Sequence, residues 1–175
     1  MSKQPPSTLS ASGSTAGSTH GGQLRWLFLS AAVIMLDWIS KLTVIHELVP
    51  YQPHRVFPGL NLTLAYNTGA AFSFLSQAGG WQQWVFVGLA VVIALVILAT
   101  LARLPKPLSL TGAALSLILA GALGNAFDRL YYGFVIDFID VYAGRYHWPA
   151  FNVADSAICI GAALLVWAQV RKSRL

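Results

Sequence analysis

The chain reads as an all-α membrane protein of four transmembrane helices. Three observations predict it. Apolar residues make up 56% of the 175 positions and charged ones only 10%, where a soluble domain carries roughly 25% charged residues. Four apolar runs, about 24–46, 81–101, 108–127 and 150–170, are each long enough to cross a bilayer as a helix, which takes about 20 residues. And the few acids are not scattered. Of five aspartates, four fall between Gly121 and Ser156, at the ends of apolar runs, where ionisable groups are costly and mark a functional site.

Residues 1–23 are rich in Ser, Thr, Gly and Pro. They have little to bury and read as a disordered tail. With only Lys3 and Arg25 before the first apolar run, they make a poor signal peptide.

The first span carries Asp37 and Lys41 in its second half. Four residues apart, acid first, they share a helix face in the favourable order. Two readings stand. Either the pair neutralises itself near the membrane surface, with Lys41 snorkelling outward, or it helps the functional site directly.

Glu47 to Gly80 is polar and rich in turns. Pro50, Pro53 and Pro58 break helix. Leu60, Leu62 and Leu64 alternate with Asn61, Thr63 and Ala65, a short strand signal. Asn67 to Phe72 reads NTGAAF. Gly69 allows a sharp turn there, Ala70 and Ala71 leave room, and Asn67 both donates and accepts. An extended peptide could add beside such a strand. His46 and His54 are isolated and read as solvated.

The second span is free of charge, with Trp81 and Trp84 placed as an interfacial belt. The third follows a tight basic loop and is rich in Gly, Ala and Ser, which suits close helix packing. Asn125, Asp128 and Arg129 share a face at its end. The fourth span opens with PAFNVADS, and its lone Cys159 reads as a buried packing residue. One cysteine excludes an intramolecular disulfide.

Basic residues set the topology. Lys3, Arg25, Arg103, Lys106, Arg171, Lys172 and Arg174 fall on one side. Arg55, Arg129 and Arg145 fall on the other, with Lys41 at the edge of a span. The richer side is cytoplasmic by the positive-inside rule. Both termini are then inside, residues 171–175 forming a basic tail, and loops 47–80 and 128–149 face each other outside. The same distribution argues against nucleic acid as the partner of the +5 charge.

Asp137 stands in FVIDFIDV, flanked by Val135, Ile136, Phe138 and Ile139, where burial raises a carboxyl pKa. Asp140, nearer the GRYH turn, reads as a solvated loop acid. Asn152 and Asp155 have two readings, as N-cap and N3 acid of the fourth helix or as site residues. Two carboxylates converging from different segments can share a proton and act as acid and base. A serine mechanism lacks G-x-S-x-G, and a zinc site lacks H-E-x-x-H. A proton-coupled transporter would place acids near mid-bilayer, with an internal repeat. A non-enzymatic scaffold would use the same Asn and Asp only as interhelical glue.

The blocks LDWISK, NTGAAF, AGALGNAFDR, VIDFID and PAFNVADS stand in order across residues 24–170. They resemble the lipoprotein signal peptidase (signal peptidase II) family. The resemblance implies a small extracytoplasmic β-sheet and a short amphipathic segment beside the four helices. It implies an aspartyl endopeptidase with Asp137 and Asp155 as the catalytic pair. Supporting and substrate-binding roles fall on Asn67, Gly69, Asn125, Asp128, Arg129, Asn152, Asp37 and Lys41. It implies no metal and no cofactor. The expected substrates are diacylglyceryl-modified prolipoproteins in membrane lipid, cut just before the modified cysteine, with globomycin-type cyclic peptides as inhibitors. The expected location is the bacterial inner membrane, with the site on the extracytoplasmic side. Trp38 stands where the family usually has Gln, and Ala120-Gly121 where it often has Gly-Gly.

Overall fold

In the computed structural model, the described residues are 25–69, 79–104 and 109–172. The tail 1–23 lies outside them, as do Ala70 and Ala71, where room for a peptide was expected. Helices α1 (Arg25–Glu47), α2 (Gln82–Arg103), α3 (Leu110–Tyr131) and α4 (Val153–Lys172) are long and apolar enough to span a membrane. Strands β1 (His54–Phe57) and β2 (Leu60–Asn67) join α1 to α2. Strands β3 (Val135–Ala143) and β4 (Tyr146–His147) join α3 to α4. The four strands form one antiparallel sheet in the order β1-β2-β3-β4 at a single end of the bundle. The short amphipathic segment implied by the resemblance is not one of the described elements.

The bundle is built around α3, which packs against α1, α2 and α4. Small residues let it do so. A side-chain carbon at Gly121 would run into the backbone of Ala154, and one at Gly161 into the backbone of Ala114. Close backbone approach of this kind drives helix association where lipid removes the hydrophobic gain. On α2, Ala90, Ala94, Ile97 and Leu101 make the inward stripe. Leu89, Val92, Leu95 and Val96 remain exposed on the opposite side, as a lipid-facing surface requires. Cys159 also lies on an exposed face of α4. That corrects the buried reading: the packing face of α4 is made by Ala154, Ala157 and Gly161.

Helix α3 stops cleanly. The N–H of Tyr132 donates to Asp128 O at 2.7 Å and that of Gly133 to Arg129 O at 3.1 Å. Gly133 then takes φ +82°, the left-handed cap that glycine suits. The chain reverses at once into β3. Its inward residues Ile136 and Phe138 pack with Val44 of α1 and Leu64 of β2. Phe151 is then bound back to β3, its N–H donating to Ile139 O at 3.1 Å and its carbonyl accepting from Ile139 N at 2.8 Å. That stitch sets where α4 begins.

Candidate active site

Asp137 projects from β3 and is only 3% exposed. Its Oδ1 accepts from Asn152 Nδ2 at 2.8 Å and its Oδ2 from Asn67 Nδ2 at 3.0 Å. Asn67 is the last residue of β2, paired with Val135, two residues before Asp137. Its own Oδ1 accepts from Gly69 N–H at 2.9 Å. Burial and the nearby charge of Asp155 push the Asp137 carboxyl up to about 7, against the pull of its two amide donors. At neutral pH it is therefore present in both protonation states.

Asp155 stands in the first turn of α4. Its N–H donates to Asn152 Oδ1 at 2.8 Å, and its Oδ2 accepts from Asn152 N–H at 3.2 Å. This reciprocal pair follows the logic of a capping box, with Asp in the usual place of Glu. Its Oδ1 accepts from Asn125 Nδ2 at 2.7 Å. The helix-cap and site readings of Asn152 and Asp155 are thus compatible, because the cap is what brings Asp155 to the site. Asn152 is fully buried and bonds both carboxylates.

Behind the two acids lies a buried charge cluster. Lys41 is 1% exposed. Its Nζ reaches Asp37 Oδ2 at 2.7 Å, Asp128 Oδ2 at 2.8 Å and Asn125 Oδ1 at 3.4 Å. The snorkelling reading of Lys41 is therefore corrected. Two carboxylates and an amide oxygen inside the bundle hold the ammonium better than a reach to the surface could. Asp37 also accepts from Ala154 N–H at 2.8 Å, and Asp128 from Ile136 N–H at 3.2 Å. Gly124 makes room for this, since a side-chain carbon there would lie 2.9 Å from Asp37 Oδ2.

Arg129 donates to Gly69 O at 2.9 Å and, more weakly, to Asn125 O at 3.4 Å, with Phe86 beneath its guanidinium at 4.9 Å. It ties the end of β2 to α3, within electrostatic reach of Asp137 and Asp155. All ten residues to which the resemblance assigns site roles thus lie in one connected network.

Asp140 departs from expectation. It is 5% exposed, not solvated, and accepts from Asn61 Nδ2 at 3.0 Å, Thr63 Oγ1 at 3.1 Å and His147 Nδ1 at 2.7 Å. Burial would raise its pKa, but these donors outweigh it and hold the carboxyl below its usual range. Asn61 and Thr63 were legible only as the polar half of an alternating strand, and His147 only as part of a turn. Among the described residues, no group of three or more His, Cys, Asp or Glu side chains is placed to hold a metal.

The family model for signal peptidase (SPase) II matches residues 29–171. The lipoprotein signal peptidase of Alteromonas mediterranea is 54% identical over 143 residues, covering 82% of this chain and 79% of that protein. That of Burkholderia thailandensis is 48% identical over 161 residues, covering 91% and 96%. A bacterial membrane enzyme solved by the in meso method at 2.3 Å resolution superposes with a TM-score of 0.77 at 29% identity, covering 85% of this chain and 89% of that one. With its four helices, its sheet and a match across most of its length, the chain belongs to the signal peptidase II family and is a multi-pass membrane peptidase of the aspartic type.

Proposed function

We propose that this protein removes the signal peptide from prolipoproteins. It cuts just before the diacylglyceryl-modified cysteine, with Asp137 and Asp155 as the carboxylate dyad. The single observation that carries the dyad is Asn152. It hydrogen-bonds one carboxylate through its side chain and the other through its backbone, so β3 and α4 present their acids to a common point.

The roles follow from the environments. Asp137, held up to about 7, keeps its proton and polarises the scissile carbonyl. Asp155 takes a proton from the attacking water, whose hydroxide adds to the carbonyl carbon as Asp137 protonates the oxygen. On collapse the C–N bond breaks, the proton on Asp155 passes to the leaving cysteine nitrogen, and Asp137 recovers its own from the gem-diol. The two acids titrate as one coupled unit. Asn67 and Gly69, beside the dyad at the end of β2, line the path of an extended peptide. The lipid on the cysteine keeps the scissile bond at the membrane surface, a proximity effect. Globomycin-type cyclic peptides compete for the same place. The basic residues put both termini in the cytoplasm and the dyad on the outer face of the bacterial inner membrane.

The test is cleavage of a diacylglyceryl-modified prolipoprotein by purified protein. The wild type is expected to cut. Asp155→Asn, with its helical signal intact, is expected to lose activity by at least about 10²-fold. A folded Asp155→Asn with full activity would return Asp155 to a helix-cap role alone.

A further inference from the structure

The charge cluster behind the dyad is arranged with a direction. Lys41, on α1, has an ammonium with three donors and no acceptor, and all three are engaged: Asp37 Oδ2, Asp128 Oδ2 and Asn125 Oδ1. An asparagine amide has an oxygen and a nitrogen of nearly the same shape, so by sterics alone Asn125 could sit either way round. Facing a group that can only donate, it must present its oxygen. Its nitrogen is then left to Asp155 Oδ1, at 2.7 Å. The other amide is fixed in the same manner. Asn152 Oδ1 accepts from the Asp155 backbone N–H, so its nitrogen turns to Asn125 Oδ1 at 3.2 Å and to Asp137 Oδ1. Both ends of this chain of amides are groups that cannot flip.

The two acids of the cluster hold the frame on which this works. Asp37 binds the N–H of Ala154, the residue before Asp155. Asp128 binds the N–H of Ile136, the residue before Asp137. Each thus anchors the backbone beside one member of the dyad while both carboxylates grip the same ammonium.

We propose that Asp37, Lys41 and Asp128 are a positioning triad that locks the Asn125 amide with its nitrogen toward Asp155, so that the base of the dyad always meets a donor. This rests on the dyad reading. With the triad removed, only the shared Asn152 Nδ2, at 3.2 Å, still holds the Asn125 oxygen inward, so Asn125 turns that oxygen to Asp155 part of the time and two acceptors face each other. The charged groups around Asp155 are Asp137 from β3, Arg129 from α3, and Lys41 and Asp37 from α1, with Asp128 of α3 joined to them through Lys41. The test must hold their sum constant.

Lys41→Met combined with Asp37→Asn does so, since it removes the one positive and the one negative charge of the cluster that act on Asp155. It also leaves an oxygen to accept from Ala154 N–H. The readout is the pH dependence of kcat/KM on a diacylglyceryl-modified prolipoprotein, with the full chain in detergent and its helical signal checked. The acidic limb is expected to move to higher pH by about one unit. Asn125→Ala is expected to move it likewise, and the combined variant no further than Asn125→Ala alone. Lys41→Arg, which still only donates, should keep the wild-type limb. A limb that stays in place in the double variant, or shifts that add in the combination, would overturn the proposal and leave the triad a fastening between helices. Should the double variant not fold, Lys41→Gln combined with Asp37→Asn decides, with the same two charges removed. The glutamine amide can present oxygen to Asn125, so the limb should move, and an unmoved limb overturns the proposal. An active, folded Asp155→Asn would instead remove the dyad reading itself, an outcome distinct from an unmoved limb.

Discussion

Asn152 serves two carboxylates, and it can do so because its side chain and its backbone point to different acids. The protonation of Asp137, against which Asn152 pulls, is measurable. Its carboxyl is held up to about 7, burial and the charge of Asp155 being the causes. A raised carboxyl is protonated below that value and loses the proton as pH rises through it. If Asp137 must carry the proton, kcat/KM falls on the alkaline side with a limb near pH 7, read from a pH–rate profile. Asn67 donates to this carboxylate and so favours its charged form. Asn67→Ala removes that donor, and the alkaline limb is expected to move up by about one unit. An alkaline limb unmoved in a folded Asn67→Ala would place the titrating group elsewhere.

At the scale of elements, α3 and α4 meet through glycine, and the meeting sets where Asp155 stands. Gly161 lies against the backbone of Ala114 and the side chain of Ile118. Gly161→Leu would wedge the helices apart, at about 1–3 kcal/mol, read as a lower melting temperature together with slower cleavage. The sheet has its own fastening, the Asp140 carboxylate with Asn61, Thr63 and His147 around it. A carboxyl held below its unfolded value adds stability above that unfolded value, near 3.9, and loses it as pH falls through the folded one. Asp140→Ala is expected to cost about 1–3 kcal/mol at pH 7, with the gap to wild type narrowing as the pH is taken below about 4. Unfolding followed at the two pH values checks it. A gap of the same size at both would assign the loss to packing rather than charge.

The whole molecule is a bundle with its polar chemistry gathered at one end. The sheet, the proposed dyad and the charge cluster lie where α1 and α3 finish and α4 begins. The opposite end carries Arg25, Arg103, Arg171 and Lys172 at the helix termini. On the proposed topology, a cysteine placed at Arg145, in the exposed turn before β4, should react with a membrane-impermeant thiol reagent added to intact cells. One placed at Arg171 should not. The native Cys159 would first be replaced by Ala. The reverse labelling pattern would invert the topology.

Some of this was decided by the sequence alone and some was not. Four apolar runs of spanning length admit few alternatives, because lipid accepts a backbone only when its polar groups bond within the segment. The acids stood out for the same reason, since a charge beside an apolar run is too costly to be incidental. Alternation in 60–65 marked a strand, and spacing put Asn125, Asp128 and Arg129 on one face. Spacing did not show where Lys41 points. Its i,i+4 partner was visible, but Asn125 lies 84 residues away in the chain. Nor did it show Asp140 buried, because Asn61 and Thr63 reach it from 79 and 77 residues away. Whether a charge turns to water or inward depends on which donors and acceptors the fold brings to it, and a local pattern holds no record of them. The sequence determined the frame and the reagents. The tertiary structure decided their directions: which amide faces which carboxylate, and which cation is shut inside.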